Sequence, residues 1–203
     1  IIGNLNAVTY KEIFPLLKDN KVWIGPSIRS GDRKFYVPDD YPLNAAGCGI
    51  DEEGRRFIRV KGVRWYTNLD IRQRHESIIL VKHYNPELYP SYETFPAIDV
   101  SSVSDIPCDY DGIMGVPKNF IDVYNPEQFE ILGYEREDEN IKVGISNMPE
   151  EFLTKYRKQG GTGHYTKGMK MLCYYDNNGK AKIPFSRILI RNKHPEPPKG
   201  GHQ

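Results

Sequence analysis

Hydrophobic positions fall in short clusters separated by polar stretches rich in glycine and proline. This pattern predicts many short strands and few helices. Ile1 and Ile2 read as the end of a buried strand running into a Gly3-Asn4 turn. Thr9 with Glu12 three residues later has the form of a capping box. Ile13, Leu16 and Leu17 then supply the apolar face of a short helix whose regularity Pro15 limits. Strands are expected over 21–24, ended by Gly25-Pro26, and over 34–37, ended by Pro38. Residues 39–54 are turn-rich, 56–60 alternate, and 63–67 (VRWYT) are strongly strand-like. The apolar, β-branched run 77–83 predicts a further strand, 84–92 a loop with two prolines, and 97–100 a very short extended piece.

Past residue 101 the pattern changes. Asp111-Gly112, Gly115 and Pro117 punctuate it, 118–124 predict a short helix, 126–129 a further helical turn, and 129–133 a strand. An amphipathic helix is expected over 149–158, with Phe152, Leu153 and Tyr156 at helical spacing and the glycines of 160–163 breaking it. Segments 170–175 and 183–191 read as a hairpin closed by Asp176-Asn177-Asn178-Gly179. Residues 194–203 (HPEPPKGGHQ) have no periodicity and are expected to form a loose tail.

Composition narrows the class. Hydrophobic residues make up 38%, low for a folded chain, and Gly 18 and Pro 15 imply many turns; Tyr 14 and Phe 8 compensate, because each aromatic buries a large area. The net charge of +1 gives no bulk argument for nucleic acid. Basic residues nevertheless cluster at Arg55, Arg56, Arg59, Lys61 and Arg64, with Arg72 and Arg74 close behind, whereas acids gather at 105–111 and 135–139. Cys48, Cys108 and Cys173 are widely spaced and odd in number, which is neither a zinc spacing nor a disulfide framework. No run of 18 apolar residues and no secretory signal pattern is visible, so a cytoplasmic location without membrane contact is expected.

Several groups are candidate chemistry. Asn4 and Asn6 follow an expected strand, and amides beyond a strand's carboxyl end can orient a ligand; Gly3-Asn4 is equally ordinary turn chemistry. Trp65, Tyr66, Thr67, Asn68 and Asp70 sit on and after an aromatic strand, as base-stacking and edge-bonding groups or as core and cap. Arg55, Arg56, Arg59, Arg64, Arg72 and Arg74 offer planar forks matched to phosphate oxygens, or an ordinary charged surface. The 160–168 loop, with Lys167, lacks the Gly-Lys-Ser/Thr of a nucleotide-binding loop; its backbone amides can hold a phosphate, or it is a plain linker. His75, His83, His164, His194 and His202 are scattered without metal spacing, and Asp109 with Asp111 has no third ligand nearby in sequence. No catalytic, cofactor-binding or metal-binding residue is assigned on this basis.

Five blocks carry a more specific signal: 1–17 (IIGNLNAVTYKEIFPLL), 63–70 (VRWYTNLD), 109–117 (DYDGIMGVP), 124–133 (YNPEQFEILG) and 185–191 (FSRILIR). In this order they resemble the EcoRI-type adenine-specific DNA methyltransferases. The resemblance implies methyl transfer from S-adenosylmethionine to N6 of adenine in double-stranded DNA. It also implies an α/β fold, the C-terminal part of a Rossmann-like class I methyltransferase core (1–100) with a mixed α+β target-recognition region (101–193). The family's Asn-Pro-Pro-Phe type motif is absent here: Asn85-Pro86 and Asn125-Pro126 are each followed by Glu. The expectation is therefore a chain that starts just past the chemistry, binds no S-adenosylmethionine tightly, and needs the upstream half of the same polypeptide. The alternatives are a non-catalytic nucleic-acid-binding module and a restriction-type nuclease.

Overall fold

The computed structural model describes residues 2–26, 32–44, 46–136 and 142–197. In chain order the elements are β1 (Ile2–Asn4), α1 (Phe14–Lys18), β2 (Trp23–Ile24), β3 (Asp32–Tyr36), β4 (Gly49–Ile50), β5 (Arg56–Lys61) and β6 (Val63–Thr67). They continue with β7 (Ala97–Asp99), β8 (Ile113–Pro117), β9 (Phe129–Tyr134), α2 (Glu150–Lys158), β10 (Tyr174–Tyr175), β11 (Ala181–Lys182) and β12 (Arg187–Asn192).

The central layer is a four-stranded sheet in the order β7-β8-β12-β9. β12 owes its interior place to its sequence. Ile188 and Ile190 project into the largest core cluster, and Leu189 between them projects into a second cluster with Tyr92, Phe95 and Leu172. A strand apolar on both faces requires cover on both faces. The largest cluster joins Val8, Phe14, Leu17 and Tyr66 to Met114, Phe120, Phe129 and Ile190, so early and late segments share one core. Across the sheet, Arg187 donates to both oxygens of buried Asp99 (2.8 and 3.3 Å), and the Tyr92 hydroxyl donates to the same carboxylate (2.6 Å). β7 and β8 are parallel, whereas every other pairing between named strands among the described residues is antiparallel. The fold is mixed α/β with a mixed sheet, not a run of parallel βαβ units.

A second, antiparallel sheet has the order β1-β6-β2, with β1 at its edge. Gly62, at φ +60, turns the ribbon between β6 and β5, a conformation that costs glycine little. Beyond that turn stands a third sheet, β3-β5-β4, inserted between the paired strands β2 and β6. Among the described residues from 26 to 62 none is buried, and none joins a core cluster. This segment is an arm without a core of its own.

Three local expectations are corrected. The capping box at Thr9 does not form: the Asn4 side chain accepts from the Asn6 N–H (2.8 Å) and caps a 3-10 turn over Leu5–Thr9, and the α-helix starts only at Phe14. Pro15 lies in that helix's first turn, where its missing N–H is no loss. Residues 77–83 form no strand. The Gln128 side-chain amide exchanges two hydrogen bonds, each 2.9 Å, with the Ile78 backbone, doing the work of a partner strand. The hairpin of 170–175 closes on β11, not on 183–191. Asp176 Oδ1 accepts from the N–H groups of Asn178 and Lys180, so the chain returns at once to pair Ala181 with Tyr175. The later residues are left to form β12 between β8 and β9.

Candidate nucleic-acid interface

The arm collects basic and aromatic side chains on one face. Strand alternation sends Phe57, Arg59 and Lys61 of β5 to the same side. The register sets Tyr36 opposite Phe57, Lys34 opposite Arg59 and Asp32 opposite Lys61. Cations and rings interleave there: Lys34 Nζ lies 4.1 Å from the Phe57 ring centroid, and the Arg55 guanidinium 4.2 Å from that of Tyr36. Arg55 also donates to the Tyr36 hydroxyl (2.8 Å) and forms ion pairs with Asp51 (2.9 Å) and Glu53 (2.8 Å). Partial desolvation would raise the Asp51 carboxyl; hydrogen bonds from the Arg55 backbone and guanidinium and from Tyr36 outweigh it and hold that carboxyl down at about 2. The turn is thus locked with Arg55 splayed over the ring. Such a surface suits a polyanion bearing flat bases, because cations meet phosphates and rings meet base faces.

The other sequence candidates lie elsewhere. Asn4 caps the 3-10 turn, and its carbonyl accepts from the Tyr66 hydroxyl (2.7 Å). Asn6 accepts from Lys118 Nζ, which lies 5.0 Å from the ring centroid of Phe185, a side chain 78% exposed. Asn68 is exposed just past β6. Arg72 is exposed and pairs with Glu76 (3.3 Å), and Arg74 stacks 3.5 Å from the Trp23 ring centroid. Lys167 is engaged by Glu150, in the first turn of α2. Arg157 donates to the carbonyls of Gly163 (2.8 Å) and Tyr165 (3.1 Å), which ties that loop to the helix.

Arg64 is the exception among the arginines. It is buried, and its guanidinium makes a two-point bond to Asp122 (2.9 and 3.0 Å) that pins β6 to the 3-10 turn Lys118–Val123. The structure brings Arg55 and Arg59 onto one face and separates them from Arg64, Arg72 and Arg74. Lys34, Tyr36 and Phe57 were missed by sequence reasoning; alternation in 34–37 and 56–60 was the available signal, but the register that opposes the two strands was not.

Neither the best-formed cleft nor the parallel strand pair of the described residues fits an adenosyl donor. This cleft, of about 500 Å³, is lined by Ser77, Ile78, Leu80, Glu127, Gln128 and Asn192 among others, with no Phe, Tyr or Trp in its wall. The parallel pair β7–β8 leads into Val100-Ser101 and Lys118-Asn119 rather than into a glycine loop at a helix start.

Mixed sheet, shared core and projecting basic-aromatic arm together define a mixed α/β domain with an appended β-arm. The chain belongs to the EcoRI adenine-specific methyltransferase family, whose model matches residues 1–193. It is 43% identical over 195 residues to the Type II methyltransferase M.EcoRI of Escherichia coli, covering 95% of this chain and 49% of that protein. It is 33% identical over 139 residues to the Type II methyltransferase M.MpnI of Mycoplasma pneumoniae, covering 65% of this chain and 42% of the relative. M.MgeORF184P of Mycoplasma genitalium, also a Type II methyltransferase, is 33% identical over 146 residues, 65% of this chain and 43% of that one. The chain thus spans about half the length of the curated relatives it matches. No solved structure matches it. Among the described residues no helix is long and apolar enough to cross a membrane.

Proposed function

We propose that this chain is the duplex-binding portion of a site-specific DNA methyltransferase that transfers a methyl group from S-adenosylmethionine to N6 of adenine. The arm face that interleaves Arg55, Tyr36, Phe57, Lys34 and Arg59 carries this reading, and the names of the Type II relatives agree with it. In this reading the arm grips the phosphate backbone, while base reading falls to 101–193 and positioning of the flipped adenine to the surface around Asn4 and Asn6. The sheet β7-β8-β12-β9 is taken as the C-terminal flank of a Rossmann-like core. Donor and catalytic motif are assigned to the upstream half of the same polypeptide, because this sequence has no Asn-Pro-Pro-Phe type motif and the 500 Å³ cleft among the described residues does not fit the donor. Positioning does most of the chemical work in such a transfer, and a correctly gripped duplex is part of it.

The test is methyl transfer from labelled donor to duplex DNA by the methyltransferase containing this chain, with and without residues 32–61 replaced by a short turn. Loss of duplex affinity together with adenine methylation supports the proposal. Full methylation without the arm rejects its role, and absence of labelled N6-methyladenine with the intact enzyme rejects the activity.

A further inference from the structure

Among the described residues, one cluster outside the arm brings three different metal-ligating groups together. His83, Cys108 and Asp109 place their ligating atoms within 4.8 Å of one another. Asp109 Oδ2 is 3.0 Å from His83 Nδ1, and Cys108 Sγ is 3.5 Å from that same nitrogen. In a nucleophile–base–acid relay the thiol and the carboxylate would engage opposite ring nitrogens. Here both converge on one nitrogen, as donors around a shared cation do.

The scaffold holds these donors firmly. The Cys108 N–H donates to the Lys82 carbonyl (2.8 Å), one contact of a bridge between Lys82 and Pro107 that sets His83 beside Cys108. The Tyr84 N–H donates to Asp109 Oδ1 (2.7 Å), which fixes the carboxylate and leaves Oδ2 for the cluster. Cys108 (4% exposed) is buried and the Asp109 side chain (9%) nearly so, whereas 37% of the His83 side chain is exposed and gives an ion a way in. Cys108 also lines the 500 Å³ cleft.

We propose that His83 Nδ1, Cys108 Sγ and Asp109 Oδ2 bind a zinc ion, with a water as the fourth ligand. One sulfur, one imidazole nitrogen and one carboxylate oxygen suit a borderline-soft tetrahedral cation and exclude magnesium and calcium, which take oxygen. On binding, the thiol proton leaves to solvent and the thiolate takes its place on the metal. The ion staples the strandless segment 77–84 to 107–109. This inference is independent of the DNA reading.

The test is titration of the chelator-stripped chain with cobalt(II), followed by zinc in competition with a chromophoric chelator. The expected result is one equivalent of cobalt with a thiolate-to-metal charge-transfer band and tetrahedral visible bands, all displaced by zinc. His83→Ala and Asp109→Asn weaken zinc binding about tenfold or more, Cys108→Ser abolishes the charge-transfer band, and Cys48→Ser changes nothing. Should Cys108→Ser fail to fold by circular dichroism, the His83 and Asp109 variants decide. Absence of stoichiometric cobalt uptake, a thiolate band that survives in folded Cys108→Ser, or affinity unchanged in both His83→Ala and Asp109→Asn overturns the proposal.

Discussion

Lys34 and Arg59 stand directly opposite each other across the β3–β5 ladder, two cations held on one exposed face. Like charges in that relation destabilise a sheet, and Lys34 relieves part of the repulsion by lying over Phe57. A phosphate between them would relieve the rest. Arg59→Ala and Lys34→Ala are expected to weaken cognate and non-cognate duplexes similarly. Each should lower the slope of log affinity against log salt by about 0.9, while the arm itself loses no stability. Arg72→Ala, already paired with Glu76, should have the smaller effect. Fluorescence anisotropy on both duplexes across a salt series is the measurement, and unchanged slopes for Arg59→Ala and Lys34→Ala would remove the arm from the interface.

Arg64 should behave in the opposite way. Arg64→Ala leaves Asp122 with a carboxylate whose partner is gone, a loss of about 3 kcal/mol for a buried pair. Duplex affinity per folded molecule should stay within about twofold of the parent, because a cation paired inside the fold makes no phosphate contact. Urea unfolding with anisotropy at matched folded fractions separates the two effects. A wild-type unfolding midpoint combined with weakened binding would return Arg64 to the DNA surface.

Gly115 lies under the Tyr92 ring, and a Cβ there would come within 2.1 Å of the hydroxyl oxygen. That hydroxyl is tied to Asp99, itself held by Arg187, so it has nowhere to retreat. Gly115→Ala is therefore expected to cost about 2 kcal/mol or more through overpacking. The same change in a Tyr92→Phe background should cost distinctly less, since the closest atom is absent. A double-mutant cycle by thermal or urea unfolding checks this; strict additivity would contradict it.

The turn at Asp51 carries a pH prediction. Its carboxyl is held down at about 2 in the folded arm, against about 4 in an unfolded chain. A depressed carboxyl contributes stability that is fully present above the unfolded value and is lost as pH falls through the folded one. The Arg55–Asp51 geometry should accordingly persist down to about pH 4 and dissolve toward pH 2. A carboxyl-detected NMR titration of Asp51, with the Arg55 Nε–H signal followed in parallel, reads this directly; a midpoint near 4 would show that the turn does not hold.

What could be read along the chain was local. Alternation in 56–60 and 63–67, the apolar run that became β12, and the helical spacing of Phe152, Leu153 and Tyr156 each name an element, because one face must find apolar cover. The family was legible for a similar reason: its blocks are contiguous stretches of sequence. Pairing was not. Whether 174–175 closes on 181–182 or on 183–191 depends on a turn tightened by Asp176, and whether 77–83 needs a partner strand depends on one glutamine, Gln128, fifty residues away. The arginines show the division most clearly. Arg59 and Arg64 belong to one basic run of sequence, yet tertiary packing exposes Arg59 and buries Arg64 against Asp122, 58 residues distant. His83, 25 residues before Cys108, reaches the thiol only through the Lys82–Pro107 bridge. Sequence determines what each side chain can do; only the folded chain decides which side chains meet, because contacts between distant segments form where shared burial and backbone pairing outweigh the entropy of bringing those segments together.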